Sequence, residues 1–135
     1  MLSQTAEYAL RAVLYLGEHA GPVRVGDMAE ALQIPRNYLS KILHLLARAG
    51  VLASARGKTG GFQLAVPADR LRLHHIIAPF DRIEERRRCL LGRPRCNDRT
   101  ACAAHTRWKE VAETLASFFR ETTVAELLRG AEVSV

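Results

Sequence analysis

The stretch PRNYLSKILHLLARAGVLASARGKTGGFQLAV, residues 35–66, decides the fold. In its first half, apolar side chains recur at the i, i+3, i+4, i+7 spacing of one helix face: Leu39, Ile42, Leu43 and Leu46. Hydrogen-bonding or cationic side chains fall on the opposite face: Asn37, Lys41, His44 and Arg48. The pattern predicts an amphipathic helix with Pro35 at its first position, where no backbone N–H is required. The helix ends at about Ala49, with Gly50 as its cap.

The second half of the stretch predicts a β-hairpin with a basic tip. Val51 and Leu52 form an apolar pair, residues 53–61 are rich in turn-forming glycine, and residues 62–66 alternate as a strand. Arg56 and Lys58 lie in the turn, where they can approach a phosphate backbone or enter a narrow minor groove. The glycines satisfy ordinary turn geometry in either case, so the two cations carry the functional prediction.

Two further helices are predicted ahead of this stretch, over residues 5–17 and 25–33. The second is joined by a tight turn to the helix that begins at Pro35, which is the layout of a helix-turn-helix. A helix-turn-helix followed by a basic hairpin is a winged helix. The alternative for the polar helix face is a solvated surface.

Beyond the hairpin, the sequence predicts a modest helix over residues 71–80, a long helix over about 100–121, and a short terminal turn or helix over 122–128. The long helix has a wide apolar face: Trp108, Val111, Ala112, Leu115, Phe118 and Phe119. Such a face needs a covering surface. Its partner is the same helix across a two-fold axis, the protein's own first helix, or both. The predicted class is mainly α with a small β-hairpin: a winged helix-turn-helix plus a long C-terminal dimerisation helix.

The bulk composition narrows the class of partner. The chain has 135 residues and a net charge of +6, which favours a polyanion, nucleic acid first. No run of about 18 apolar residues is present, and the N-terminus lacks the basic start and apolar core of a signal peptide. We therefore expect a cytoplasmic protein with no membrane partner, whose thiols stay reduced.

The three cysteines of the chain share one segment. Cys89, Cys96 and Cys102 are followed by His105 in the spacing C-x6-C-x5-C-x2-H. Thiolates and imidazole are ligands of iron–sulfur clusters and of zinc, and the many arginines nearby favour the thiolate form. The segment predicts a metal or iron–sulfur centre. A closed zinc site, three free cysteines and a surface role for His105 are the alternatives.

Several short motifs occur together in order: YALR (8–11), YLSKIL (38–43), AGVL (49–52), RGKTGGFQLA (56–65), the cysteine segment, and TTVAEL (122–127). On these motifs the chain resembles, over residues 2–128, the Rrf2 family of winged-helix transcription regulators, which has IscR-, NsrR- and RirA-like members. The resemblance implies a homodimer that binds double-stranded promoter DNA. It implies a winged-helix DNA-binding domain in residues 1–80, a cluster-binding loop in 81–103, and a dimerisation helix and tail in 104–135.

The resemblance also implies an iron–sulfur cluster. A two-iron, two-sulfur cluster is favoured, with a four-iron, four-sulfur cluster as the alternative. Its implied ligands are Cys89, Cys96, Cys102 and, as in the IscR-like branch, His105. Glu7 of the opposite subunit is the rival fourth ligand, because it aligns with the carboxylate that other branches supply from the first helix.

The expected function is transcription regulation, as a repressor whose promoter affinity is controlled by a cluster that responds to redox, nitric oxide or iron status. We expect six side chains to contact DNA, the first four toward base edges and the last two from the wing: Asn37, Ser40, Lys41, His44, Arg56 and Lys58. A cluster-free thiol-based or zinc-stabilised regulator is the alternative. An iron–sulfur electron carrier or enzyme is the alternative from another class, but no nucleophile–base constellation or dinucleotide fingerprint is visible, so no enzyme is expected.

Overall fold

The computed structural model describes residues 2–58, 60–81 and 105–130. The helices in these ranges are α1 (Gln4–Gly17), α2 (Val25–Leu32), α3 (Arg36–Arg48), α4 (Leu73–Ile77), α5 (His105–Glu121) and α6 (Val124–Gly130). The strands β1 (Leu52–Ala55) and β2 (Gly61–Leu64) pair antiparallel. The predicted class, mainly α with a small hairpin, is confirmed. No helix in the described ranges is both long and apolar enough to cross a membrane.

Helix α1 lies at the centre of the fold. Its buried face consists mostly of small side chains, which let α3, α4 and α6 pack closely against it: Ala6, Ala9, Ala12, Val13 and Leu16. The Ser3 hydroxyl caps the helix by accepting a hydrogen bond from the N–H of Ala6 at 3.1 Å. Arg11 donates to the carbonyl of Leu32 at 2.6 Å, so its cation also stabilises the C-terminal end of α2.

The turn between α2 and α3 is set by Gln33 in the left-handed region (φ 58°). The N–H of Ile34 donates to the carbonyl of Ala29, and that of Gln33 to Glu30, which is the Schellman arrangement. Pro35 is the N-cap residue of α3 and directly precedes the helix. Its predicted place as the first helical residue is therefore wrong by one position. The reason is its extended backbone (ψ 129°), which starts the helix at Arg36.

Helix α3 follows its predicted pattern closely. The predicted apolar stripe is fully buried, and the opposite face is exposed. Gly50 (φ 84°) donates to the carbonyl of Ala47 and Val51 to that of Leu46, so the predicted glycine cap is confirmed as a second Schellman arrangement.

The hairpin is tied to the chain that enters α2. Val23 and Phe62 exchange both backbone hydrogen bonds at 2.9 Å, which adds a bridge at the outer edge of β2. The approach requires glycine at position 61, because a Cβ there would lie 2.2 Å from the carbonyl oxygen of Val23. Strand β1 reaches Ala55, further than the predicted turn at residues 53–61 allowed, since Ala53–Ala55 pair with Gly61–Gln63.

The predicted helix over residues 71–80 is shorter in the structure and begins at Leu73. Leu71 and Arg72 are extended because they pair with the chain that enters α6. The N–H of Leu73 donates to the carbonyl of Thr122, and the N–H of Val124 to that of Leu71. A long-range pairing has therefore displaced the first turn of the helix.

The apolar face of α5 divides into two parts. Ala112, Ala116 and Phe119 are buried where α5 packs beside α4, whereas Val111 and Phe118 are each 49% exposed. Phe119 and Val124 belong to the same core as α1, so the C-terminal helices are built onto the winged helix itself. Residues 100–104 of the predicted long helix lie outside the described residues.

Candidate nucleic-acid interface

The candidate interface is the outer face of α3. Asn37, Lys41 and His44 are exposed along it, and Ser40 is half-buried between them. Amide, hydroxyl, ammonium and imidazole groups are the donors and acceptors that read base edges in a major groove. The four residues share one helix face, held in place by the buried stripe beneath it.

The wing stands beside this face. The ring of His44 meets the ring of Phe62 edge-on, with 5.3 Å between centroids. Phe62 is buried in β2, so one aromatic contact fixes the wing against the middle of α3. Arg56 and Lys58 are exposed at the tip, on either side of Gly57 (φ 100°). Thr59, the next residue of the tip, lies outside the described residues.

The first turn of α3 also contacts the first turn of α1. The hydroxyls of Tyr38 and Thr5 share a short hydrogen bond, and the Tyr38 ring meets the Tyr8 ring edge-on at 5.6 Å. Gln4 donates to the Tyr8 hydroxyl at 2.9 Å. Of these residues, Gln4, Tyr8 and Tyr38 line a cleft of about 510 Å³ that also includes Asn37 and Lys41. The N-terminus of α1 therefore supports the part of α3 that faces outward.

A second cleft, of about 420 Å³, lies between the start of α2 and the wing. Arg24 and Arg36 line it together with the glycines of the wing, and neither arginine was among the predicted contacts. Arg24 directly precedes α2 and Arg36 begins α3, and the Val23–Phe62 bridge brings the wing to the same place. No periodicity in the local sequence predicts this cleft. Only the winged-helix topology, in which the hairpin pairs with the chain that enters α2, could have indicated it.

The beginning of the segment assigned to residues 81–103 is fixed to α1. Asp81 is 9% exposed, and its carboxylate accepts a hydrogen bond from the N–H of Ser3 at 2.8 Å. Glu7 lies one turn further along α1 and is exposed, so its carboxylate is available to a ligand or a second chain. The start of the predicted cluster loop thus contacts α1 at Ser3, one helical turn from Glu7, the rival fourth ligand.

The predicted cysteine ligands Cys89, Cys96 and Cys102 lie outside the described residues. Helix α5 begins at His105, but the side chain of that residue is also outside the described part. Within residues 2–58, 60–81 and 105–130, no group of three or more His, Cys, Asp or Glu side chains is arranged to hold a metal. The predicted centre therefore depends on the cysteine segment itself.

Comparisons with known proteins agree with this geometry. The profile of the Rrf2 family, described as an iron-dependent transcriptional regulator, matches residues 2–130. The transcriptional regulator IscR of Vibrio atlanticus is 32% identical over 134 residues, which cover 98% of this chain and 77% of that protein. Two solved structures share the fold. IscR of T. potens has a TM-score of 0.79 at 23% identity, with 100% of this chain and 91% of that chain covered. CymR, the global cysteine regulator of B. subtilis, has a TM-score of 0.80 at 21% identity, with 96% of each chain covered.

Proposed function

Because the chain belongs to the Rrf2 family of transcriptional regulators, and is a regulator rather than an enzyme, we propose that it acts as a homodimeric repressor at promoter DNA. An iron–sulfur cluster controls its affinity. The observation that carries the DNA-binding part is the exposed polar face of α3 beside a cationic wing, both presented on one side of a rigid core. In this proposal α3 enters the major groove, and Asn37, Ser40, Lys41 and His44 contact base edges.

The wing contributes sequence-independent affinity. Arg56 and Lys58 are exposed cations on a glycine-rich tip that can approach the duplex closely. Cations that neutralise phosphates release counterions, so their contribution falls as the salt concentration rises. The contact between His44 and Phe62 keeps the wing and α3 at a fixed separation, which suits adjacent grooves.

Homodimerisation through α5 is supported by the apolar surface that the described chain leaves uncovered. Val111 and Phe118 are two turns apart on one helix face and are both half exposed, with Leu115 between them. A second copy of α5 across a two-fold axis would cover this stripe on both chains at once. A two-fold pair of α3 helices would then meet two half-sites one helical turn apart.

The proposed cluster ligands are Cys89, Cys96 and Cys102, with His105 as the fourth and Glu7 of the partner subunit as its rival. Three thiolates with one imidazole form a donor set suited to an iron–sulfur cluster, and the imidazole raises the reduction potential relative to four thiolates. When bound, the cluster supplies a redox- and nitric-oxide-sensitive group. Glu7 is exposed on α1, so its carboxylate is accessible to a cluster held by a second subunit.

The contacts of the first turns of α1 support a route by which the cysteine segment influences DNA binding. Asp81 holds the N–H of Ser3, and two residues further on Thr5 shares a hydrogen bond with Tyr38 at the start of α3. A displacement of Asp81 would therefore bias the position of α1 against the DNA-reading helix. In this proposal the state of the cluster shifts the population between a binding-competent and a weakly binding dimer.

The experiment compares DNA affinity with and without the cluster. A duplex selected by the protein from a random pool serves as the ligand, and anaerobic protein is measured after reconstitution and again after chelation. We expect bound iron, a visible absorption band, and different dissociation constants for the two forms. Equal constants would reject cluster control but leave DNA binding standing.

The variants Cys102→Ser, His105→Ala and Glu7→Ala identify the ligands in the same assay. We expect Cys102→Ser to remove the absorption band and His105→Ala to shift it, with no change for Glu7→Ala. A protein without iron whose DNA affinity depends on its cysteines would establish the thiol-based alternative. Stoichiometric zinc would establish the zinc-stabilised one.

A further inference from the structure

We propose that Arg24 and Arg36 together bind one DNA phosphate in the cleft between α2 and the wing, as a contact separate from the base-reading face of α3. The inference rests on the proposed DNA binding and deepens it by assigning a site to the sugar–phosphate backbone. The ligand is a phosphodiester oxygen of the same duplex that α3 reads.

The two guanidinium groups are exposed and, in the part of the chain that the structure describes, lack carboxylate partners. Within the described residues, no ion pair or hydrogen bond engages the side chain of Arg24 or of Arg36, although Asp27 also lines the cleft. Cζ and Nη1 of Arg36 lie 3.8 Å from the point that a Cβ on Gly26 would occupy. The guanidinium therefore lies over the first turn of α2, close to the backbone.

The local electrostatics favour an anion in this cleft. A cation beside the first turn of a helix opposes the helix dipole, which favours negative charge there. Arg24 occupies the cap position of α2 without any side-chain acceptor, and the carbonyl of Arg24 first receives a helical hydrogen bond from the N–H of Met28. Among the residues that the structure describes, Asp27 is the single carboxylate that lines the cleft, and four cations lie in the cleft or at the adjoining wing tip: Arg24, Arg36, Arg56 and Lys58. A phosphate would complement this local excess of positive charge.

The position of the cleft matches the path of a DNA strand. Arg36 is the first residue of α3 and directly precedes Asn37, while Gly57, Gly60 and Gly61 of the wing line the other side. In a duplex, one sugar–phosphate strand separates a major groove from the adjacent minor groove. If α3 lies in the former and the wing tip approaches the latter, that strand must pass between them. The arginine pair lies at this crossing.

The test is the salt dependence of binding to the selected duplex. We expect the double variant Arg24→Ala/Arg36→Ala to bind more weakly and to lower the slope of log K against log salt by about 1, as for the loss of one phosphate contact. Arg129→Ala is the control for a lost surface charge, because it removes one of the two charges that the double variant loses, from an exposed position at the end of α6. We expect its slope to equal that of the wild type.

A second measurement locates the phosphate. Replacing single phosphates of the duplex by neutral methylphosphonates should weaken wild-type binding at every contacted phosphate, including those that Arg56 and Lys58 approach. At one further position per half-site, the substitution should weaken binding by the wild type and leave binding by the double variant unchanged. Equal slopes for the double variant and Arg129→Ala would overturn the inference. So would equal sensitivity of the double variant and the wild type to the methylphosphonate at every position. A titration with inorganic phosphate, followed by the amide NMR shifts of Gly26 and Gly60, provides a further check. Saturable shifts combined with normal DNA binding by the arginine variants would also overturn the inference, because the cleft would then bind phosphate without contributing to DNA binding.

The two proposals fail in distinguishable ways. If the wild-type protein selects no duplex and binds none, the proposed function is wrong and this inference falls with it. If the wild type binds and the arginine variants keep its slope, only the phosphate site is wrong.

Discussion

Ser3 donates its backbone N–H to the Asp81 carboxylate across 2.8 Å, and this bond joins the first turn of α1 to the residue at which the cysteine segment begins. The two residues lie at opposite ends of the winged helix in sequence. Their contact links that segment to α1, whose Thr5 shares a hydrogen bond with Tyr38 of α3. Its loss should affect both folding and signalling.

Asp81→Ala should lower the free energy of unfolding by about 1–3 kcal/mol, because it removes a buried charged acceptor and leaves the N–H of Ser3 without it. Urea denaturation measures the change. Asp69→Ala, which removes a carboxylate from an exposed turn, is the control and should unfold at the wild-type midpoint. Equal midpoints for the two variants would show that the Ser3–Asp81 bond contributes no stability.

Gly61→Ala should destabilise the protein by more than about 1 kcal/mol, since φ at this position is 144° and the new Cβ would collide with the carbonyl of Val23. Thermal unfolding provides the measurement. Gly130→Ala makes the same chemical change at the end of α6, where nothing lies within 4 Å of the new Cβ. We expect that variant to be neutral or slightly stabilised; a similar loss in both would contradict the bridge as the cause.

His44→Phe should preserve stability within about 0.5 kcal/mol, because the edge-on contact with Phe62 needs only an aromatic ring. It should nevertheless reduce discrimination between the selected duplex and a random one, since both ring nitrogens are lost. Fluorescence anisotropy with the two duplexes measures the ratio. His19→Phe changes a histidine that also contacts an aromatic ring, that of Tyr15, but away from α3. A normal ratio for His44→Phe would remove this residue from the base-reading set.

Phe118→Glu should convert the proposed dimer to a monomer, because the change puts a charge within the exposed stripe on α5. Sedimentation velocity reports the mass, and circular dichroism should confirm that the helix content is kept. Thr106→Glu places the same charge on a different face of α5 and should leave the dimer intact. A dimer that survives Phe118→Glu would exclude this stripe as the interface.

Local patterns in the sequence were sufficient to predict α1, α2, α3 and the hairpin. The stripe from Leu39 to Leu46 and the cap at Gly50 depend on neighbours within one or two turns, so their periodicity determines them. The lost first turn of α4 depends instead on Leu71 and Arg72 pairing with a strand-like stretch some fifty residues later. A helical pattern cannot reveal a competing partner so distant in sequence.

The candidate site divides in the same way. Asn37, Lys41 and His44 were predicted because they share one face of one helix, and the structure places them there. Arg24 and Arg36 share a cleft with the glycines of the wing only because the hairpin pairs with Val23. The division of the α5 face was likewise hidden, because Phe118 and Phe119 are equally apolar and only packing against α4 distinguishes them.

The exchange of hydrogen bonds between Val23 and Phe62 has a thermodynamic consequence for DNA binding. These hydrogen bonds close the chain from the start of α2 to the wing into a loop. The DNA-reading surface is therefore already ordered in the folded protein, and the loss of conformational entropy occurs on folding. Little of that cost is left for the encounter with DNA. Calorimetry should therefore find the modest negative heat capacity change of two preformed surfaces meeting, and not the greater heat capacity change that accompanies coupled folding and binding.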